Sequence, residues 1–261
     1  MPMPKNYDSQ SIRKLSLKEA KSITAEIKPL DPKKLINGTG DEKALVSQCL
    51  QAQLHEIDLN KFHAHISKKD IFAINGQYYR FNNSVYFAPD NPYYPTSNHT
   101  IYITEDKLGS GGFGKVKKAL KVEINKTMDD VISTDKRALK ILSGKSKNEN
   151  GQNTYMNNAN DFHRRIAVRH EFNILKQLQT DNVYIDTNSS IQDAPGEYSK
   201  SAVTMQHAAG QNLHNFEQTN QSALNSTTKL ALAHQILTAI KSLHDEGVAH
   251  RDIKPENMIL T

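Results

Sequence analysis

The chain has 261 residues, 37% of them apolar and 23% charged, a mix that supports a packed core and excludes disorder throughout. Its 33 basic and 28 acidic residues leave a net charge of +5, spread along the sequence, so no nucleic-acid partner is expected. The single cysteine, Cys49, excludes an internal disulfide framework and fits a reducing compartment.

Met1-Pro2-Met3-Pro4-Lys5 has no apolar run behind it, so no secretory signal is read there. No window holds the ~18 apolar residues of a membrane span. A soluble, cytoplasmic chain of one or two domains is expected. Residues 1–10 are polar, punctuated by proline and expected to be mobile. From Ser11 to Ile27 the residues Ile12, Leu15, Ala20, Ile23 and Ile27 recur at the spacing of one helical face, with Lys14, Lys18 and Lys21 opposite. This predicts a basic amphipathic helix that docks on its own domain, with contact to a membrane surface or partner as the rarer outcome. Pro29 and Pro32 end it.

Gly38-Thr39-Gly40-Asp41 opens a second helix running to about Leu59, with Leu45 or Val46, then Cys49, Leu50, Leu54 and Ile57 on its stripe. Cys49 on that stripe reads as a small core residue rather than a reactive thiol. The period then changes. Ile71 to Ile74, Gln77 to Phe81 and Val85 to Phe87 predict short strands, the first two joined by Asn75-Gly76, a strong hairpin signal. His63 and His65 have no third ligand at suitable spacing, so a metal site is not read there. The turn-rich Asp90-Asn91-Pro92-Tyr93-Tyr94-Pro95 marks a boundary. Residues 1–95 are thus expected to form an extension of two helices and a β-hairpin, and a second domain is expected over 100–261.

The second part begins with a strand-like run, Thr100 to Glu105, then Leu108-Gly109-Ser110-Gly111-Gly112-Phe113-Gly114-Lys115-Val116. Glycines spaced this way let backbone amides approach phosphate oxygens. A dinucleotide-binding turn of similar spelling needs a helix directly after it. Here Lys115 to Leu120 alternates and predicts a strand, so the expected unit is strand, loop, strand. Arg137-Ala138-Leu139-Lys140-Ile141-Leu142 predicts a third strand. Lys140, between apolar neighbours, is costly to bury unless its charge has a partner or a task.

Ser143 to Asn160 is polar, rich in asparagine and without an apolar face, the pattern of a long exposed loop. Helical period returns over Asp161 to Leu178, and Ala202 to Gly210 opens as an apolar strand. Leu230, Ala233, Ile236, Leu237, Ile240 and Leu243 mark a helix over Ser226 to Glu246, capped by Gly247. After it, one short loop carries a carboxylate (Asp252), an ammonium (Lys254) and a carboxamide (Asn257). These groups can accept a hydroxyl proton, neutralise a transferring phosphoryl group and ligate Mg²⁺.

His250-Arg251-Asp252-Ile253-Lys254-Pro255-Glu256-Asn257 resembles the catalytic loop of eukaryotic-type protein kinases. The glycine run, the strand bearing Lys140 and Arg169-His170-Glu171-Phe172-Asn173-Ile174-Leu175 resemble that family's upstream elements in the right order. The resemblance covers about Thr100 to Thr261 and implies an α+β, kinase-like fold. Expected are a five-stranded antiparallel N-lobe sheet with its αC helix, then the start of a helical C-lobe (αD, αE and catalytic loop).

The resemblance also implies ATP and Mg²⁺ as cofactors and a protein substrate. Lys254, two residues after Asp252, matches the form of the loop that acts on Ser or Thr hydroxyls. Leu108, Gly109, Ser110, Gly111, Gly112, Phe113, Gly114 and Val116 would cover the nucleotide. Ala138 would pack on the adenine, with Ile259 among the other nucleotide contacts. Lys140, paired with Glu171, would bind the phosphates; Met205 would be the gatekeeper, and the backbone of Gln206 and Ala208 would hold the adenine edge. Asp252 would be the base, Lys254 its electrostatic partner and Asn257 a Mg²⁺ ligand.

The next family element, D-F-G, is not reached by Thr261, so the chain reads as an N-terminal piece of a longer kinase. A nucleotide-binding scaffold without turnover and an adaptor acting through residues 1–95 are the competing functions. The extension, the Asn-rich insertion and the absence of Trp are also reminiscent of bacterial effector kinases, which would act in a host cytosol.

Overall fold

Ser16 decides how the described chain begins. In this computed structural model its hydroxyl accepts from the Glu19 amide, and the Glu19 carboxylate accepts from the Ser16 amide at 2.9 Å, a reciprocal cap that starts a helix at this point. The structure describes residues 12–55, 65–88, 98–111, 114–142, 145–147, 153–155, 170, 172–178, 184–185, 202–221 and 224–261. They divide into two compact units, Met1–Gln206 and His207–Thr261.

The first unit opens with β1 (Ile12–Lys14), α1 (Leu17–Ser22), β2 (Ile27–Leu30), α2 (Lys34–Asn37) and α3 (Gly40–His55). The single helix expected over Ser11 to Ile27 is therefore corrected to strand, short helix, strand. The helix is confined by its cap at Ser16 and by the extended backbone of Ile23, and both flanks have sheet partners that a helix would forfeit. Ile12, Arg13 and Lys14 pair antiparallel with β4 (Phe72–Ile74), and Ile27 to Leu30 pair parallel with β5 (Gln77–Phe81). The single helical face expected over this stretch is therefore not formed by residues 12–27.

The second expected helix is present as α3, and the part expected beyond His55 lies outside the described residues. The Asn75-Gly76 hairpin is also present, with both residues at positive φ (49° and 76°). These strands form a sheet in the order β1-β4-β5-β2. The extension thus holds three helices and a four-stranded sheet among the described residues, more than the two helices and hairpin expected.

The larger sheet is built from β3 (His65–Ile66), β6 (Val85–Phe87), β7 (Asn98–Gly111), β8 (Gly114–Asn125), β9 (Val131–Leu142), β12 (Tyr184–Ile185) and β13 (Ala202–Gln206). Its order is β12-β13-β9-β8-β7-β6-β3, all neighbours antiparallel. Five strands were expected, whereas seven are joined. The additional β6 and β3 come from the extension and cover the edge that β7 would otherwise leave open. Ser143 to Asn160 is corrected as well: β10 (Lys145–Lys147) and β11 (Asn153–Tyr155) pair as a hairpin inside the expected loop.

The main core crosses the expected boundary. Leu35, Val46, Cys49, Leu50, Phe72 and Phe81 from the extension cluster with Ile101, Ile103, Val122, Ile124 and Met128 of the larger sheet and its β8–β9 turn. Met128 holds a left-handed φ of 56° and is fully buried. Beside it the Gln51 side chain of α3 donates to the Thr127 carbonyl. Burial pushes the Cys49 thiol far above its usual range, in keeping with a core role. The joint expected at Asp90 to Pro95 lies outside the described residues.

In the second unit Asn212 caps α5 (Leu213–Thr219), accepting from the Asn215 amide at 2.8 Å. Asn225 likewise caps α6 (Ser226–Asp245) through the Thr228 amide at 2.9 Å. These two helices stand where αD and αE were expected. Gly247, at φ 72°, ends α6, with the Val248 amide donating to Leu243 O at 2.9 Å. Leu230 and Leu237 of α6 are 73% and 67% exposed, so the apolar stripe is not buried by the described residues.

β14 (Gln211–Asn212) pairs with β15 (Ile259–Leu260). Their approach explains Gly210, because a Cβ there would sit 1.9 Å from the Leu260 carbonyl oxygen. Gly210→Ala is expected to force the two strands apart and cost about 1–3 kcal/mol. Thermal melting checks this, and an unchanged transition would mean the strands yield freely.

Candidate active site

In the first unit the candidate element is the β7–β8 hairpin. Gly109 pairs with Val116, Ser110 with Lys115 and Gly111 with Gly114, so the glycine run is the tip of a strand-loop-strand unit as expected. Gly112 and Phe113 lie outside the described residues. Gly114 has φ 149°, which favours glycine. A Cβ on Gly109 would meet nothing within 4 Å among the described residues, so no packing among them requires its bareness. It leaves backbone open beside the loop, as a phosphate cradle requires. Leu108, at the root of the loop, is 49% exposed.

The sheet register brings the expected nucleotide contacts together. Val116, Lys140 and Val203 stand opposite one another across β8, β9 and β13, and Lys118, Ala138 and Met205 do so two residues along. Alternation therefore places Val116, Ala138, Lys140 and Met205 on one face of the sheet. The other face carries Ala119, Leu139 and Ala202, buried with Tyr86 and Tyr102 in a second core. Lys140 is half-buried, between Val116 and Val203. Glu171 lies outside the described residues, although residues 172–178 after it are helical (α4). Gln206 ends β13 in the first unit, and Ala208 belongs to the second.

The candidate element of the second unit is the loop after α6, which begins on a conformational expense. Arg251 has a left-handed φ of 63°, costing on the order of 1–2 kcal/mol for a residue with a side chain. Local hydrogen bonds hold it there. The Asp252 amide donates to His250 Nδ1 at 3.3 Å, and Asn257 Nδ2 donates to both the Asp252 carbonyl and its Oδ2 at 2.8 Å. Lys254 Nζ lies 3.1 Å from the same Oδ2. Lys254 first, then Asn257, holds the Asp252 carboxyl below the usual aspartate range, so it is ionised at neutral pH.

A turn of 3-10 helix, Pro255–Asn257, returns the chain to β15, and Leu213 N–H donates to Met258 O at 2.8 Å. Ile259, on β15, is 50% exposed. The three residues singled out by their chemistry thus share one hydrogen-bonded turn. The roles of His250 as acceptor and of Gly210 as a space for β15 are not visible in the residue pattern.

The donor set fits the expected cofactors in part. With its amide hydrogens engaged by Asp252, Asn257 has its Oδ1 left as the acceptor or ligand. Among the described residues no group of three or more His, Cys, Asp or Glu can hold a metal ion. His63 lies outside the described residues, and the His65 ring lies 4.4 Å from the Tyr86 ring. No described helix is long and apolar enough to cross a membrane.

Comparison with known proteins follows these features. Over 158 residues the chain is 27% identical to the serine/threonine-protein kinase RAD53 of Saccharomyces cerevisiae, covering 60% of this chain and 16% of that protein. Over 154 residues it is 30% identical to CBL-interacting serine/threonine-protein kinase 7 of Arabidopsis thaliana, covering 59% and 30%. The chain therefore spans under a third of either relative.

Among solved structures, the apo form of PpkA-294 aligns over 61% of this chain and 54% of its own, with TM-score 0.41 and 17% identity. Rad53 1-466 in complex with AMP-PNP aligns over 61% and 35%, with TM-score 0.39 and 24% identity. The protein kinase domain family matches residues 102–261, more than half of the chain, from β7 through the glycine hairpin and the Lys140 strand to the Asp252 loop. This chain belongs to the protein kinase family.

Proposed function

We propose that the chain supplies the nucleotide-binding sheet and catalytic loop of an ATP-dependent kinase that phosphorylates Ser or Thr hydroxyls of a protein. The observation that carries this reading is the Asp252 carboxylate, exposed and ionised, oriented by Lys254 at 3.1 Å and Asn257 at 2.8 Å. A carboxylate so held can orient a hydroxyl and accept its proton, while Lys254 remains close enough to neutralise charge on a moving phosphoryl group. Lys254 supports Ser/Thr rather than Tyr as the acceptor, by its position two residues after Asp252.

Asn257 would ligate Mg²⁺, which when bound neutralises phosphate charge. Lys140, with Glu171 as its partner, would hold the α- and β-phosphates, and the backbone of Gln206 and Ala208 would pair with the adenine edge. The kinase domain proper is assigned from about Thr100, with residues 1–95 as its extension.

Calorimetric titration with ATP and Mg²⁺ tests the nucleotide half. Lys140→Met keeps the apolar stem and removes the charge, and is expected to weaken binding by ~1.5–3 kcal/mol, the range of charged hydrogen bonds, or about tenfold or more. Equal affinity in the two proteins would remove Lys140 from the phosphate site. Transfer of phosphate to tyrosine alone would reject the Ser/Thr assignment.

A further inference from the structure

The ladder between β7 and β8 is regular up to Thr104↔Ala119, then resumes at Lys107↔Lys117 and shifts again before Gly109↔Val116. Glu105 and Asp106 lie in the first irregularity, directly before the residues that form the glycine loop. A bulge bends its strand and gives up local pairing, so its direction depends on other contacts.

The extension supplies those contacts. β6 pairs with β7 through Val85↔Ile103, and the Thr104 amide donates to Ser84 O at 2.9 Å. The backbone grip therefore reaches Thr104. At the next residue a side chain takes over, with Lys33 Nζ forming an ion pair with Glu105 Oε1.

Lys33 is itself fixed. It precedes α2, and its amide donates to Asp31 Oδ1 at 3.0 Å. The Lys33 and Glu105 side chains are 33% and 19% exposed, so solvent screens the pair less than it would a surface pair. The hydrogen bond that Lys33 donates to Glu105 raises the Lys33 pKa, with the charges of Asp31 and Asp106 adding to it. Lys118, the other cation near Glu105, is 4.0 Å from Oε2. It stands opposite Ala138 on the face assigned to the nucleotide.

We propose that Lys33 is a positioning residue for nucleotide binding, which acts through Glu105 to hold the bulge at the root of the glycine hairpin and so sets where the phosphates are cradled. The inference rests on the nucleotide reading above. It makes the extension part of the phosphate site's framework. Losing the Lys33 charge frees Glu105 to turn toward Lys118 and lets the hairpin root move.

The test uses the whole chain, with Lys33→Met, Glu105→Gln and the double exchange Lys33→Glu with Glu105→Lys. Binding of ATP with Mg²⁺ is compared with binding of adenosine, and amide exchange is followed at Lys107 to Gly111. Each single variant is expected to weaken ATP roughly five- to tenfold, the scale of coupling through a connected network. Adenosine binding is expected to hold and exchange at the hairpin root to quicken. The double exchange is expected to recover ATP affinity to within about threefold, as an interacting pair should.

Unchanged ATP affinity, or parallel losses for ATP and adenosine, would overturn the proposal. So would a double exchange no better than the single variants. A wild-type chain that binds no ATP would refute the nucleotide reading instead. Amide exchange would then judge the brace alone: quickened exchange in Lys33→Met would support it, and unchanged exchange would reject it.

Discussion

Replacing Asp252 by Asn in an active form of the protein is expected to abolish phosphoryl transfer and leave nucleotide affinity nearly intact. The substitution keeps the shape of the side chain but removes the proton acceptor. It also turns the interactions at Oδ2 against the loop, because Lys254 at 3.1 Å and Asn257 at 2.8 Å both donate there. An amide nitrogen in that place would face two donors. Loss of a positioned general base costs on the order of 10²–10⁴-fold in rate. A phosphotransfer assay showing a loss under about tenfold would remove Asp252 from that role.

The same contacts set the pH dependence. The folded carboxyl titrates below its ordinary value, so its contribution to the loop is fully present above that ordinary value. It is lost only as pH falls through the lowered one. The acid limb of activity due to Asp252 should therefore lie below the usual aspartate range, and Lys254→Met should move it upward.

The second large effect is expected far from the site. Leu50, on α3, is fully buried in the core that also holds Ile101, Ile103, Val122 and Ile124. Leu50→Ala is expected to cost about 2–5 kcal/mol, the range for a core leucine truncated to alanine. Because one core serves both parts, the loss should appear in α3 and in β7 and β8 within a single cooperative transition. Native-state amide exchange separates the outcomes. Faster exchange confined to α3, with β7 and β8 unaffected, would show that the extension is an independent domain. A chain shortened to remove the extension would expose the same apolar face of the sheet and is a harsher version of this experiment.

The shared core also bears on how residues 1–95 act. Here the extension contributes β6 and β3 to the larger sheet, buries one face of β7 and β8, and places Gln51 on the β8–β9 turn. Its closest physical task is to support the strands that carry the glycine loop.

Much of the site was legible from the residues. Asp252, Lys254 and Asn257 lie within six positions on one loop, so their meeting in space needed only a local turn. The strand-loop-strand reading of Leu108 to Val116 rested on alternation after the glycines, and the β7–β8 ladder has that form. Caps were equally local, as Gly247 at the end of α6 illustrates.

What failed was information held by distant partners. Ile12 to Ile27 carries helical spacing, yet β4 and β5 claim its two ends as strands, and ladder hydrogen bonds outweigh a weak periodic preference. The Asn-rich stretch offers no apolar face, yet part of it closes as β10 and β11. Gly210 closes an apolar strand in the residue pattern, and its need for glycine comes from Leu260 O, which lies 1.9 Å from where a Cβ would sit.

The sequence by itself determined the family, because a catalytic-loop pattern, a glycine turn and a lysine strand are each written in contiguous residues. Only the tertiary structure decided how the extension packs against the larger sheet. Lys33 and Glu105 are 72 positions apart (105 − 33), and no local pattern links a lysine before a short helix to a glutamate in a bulge. Their pairing follows from burying α3 and its neighbours against β7 and β8, a packing that emerges only when the whole apolar surface is removed from water together.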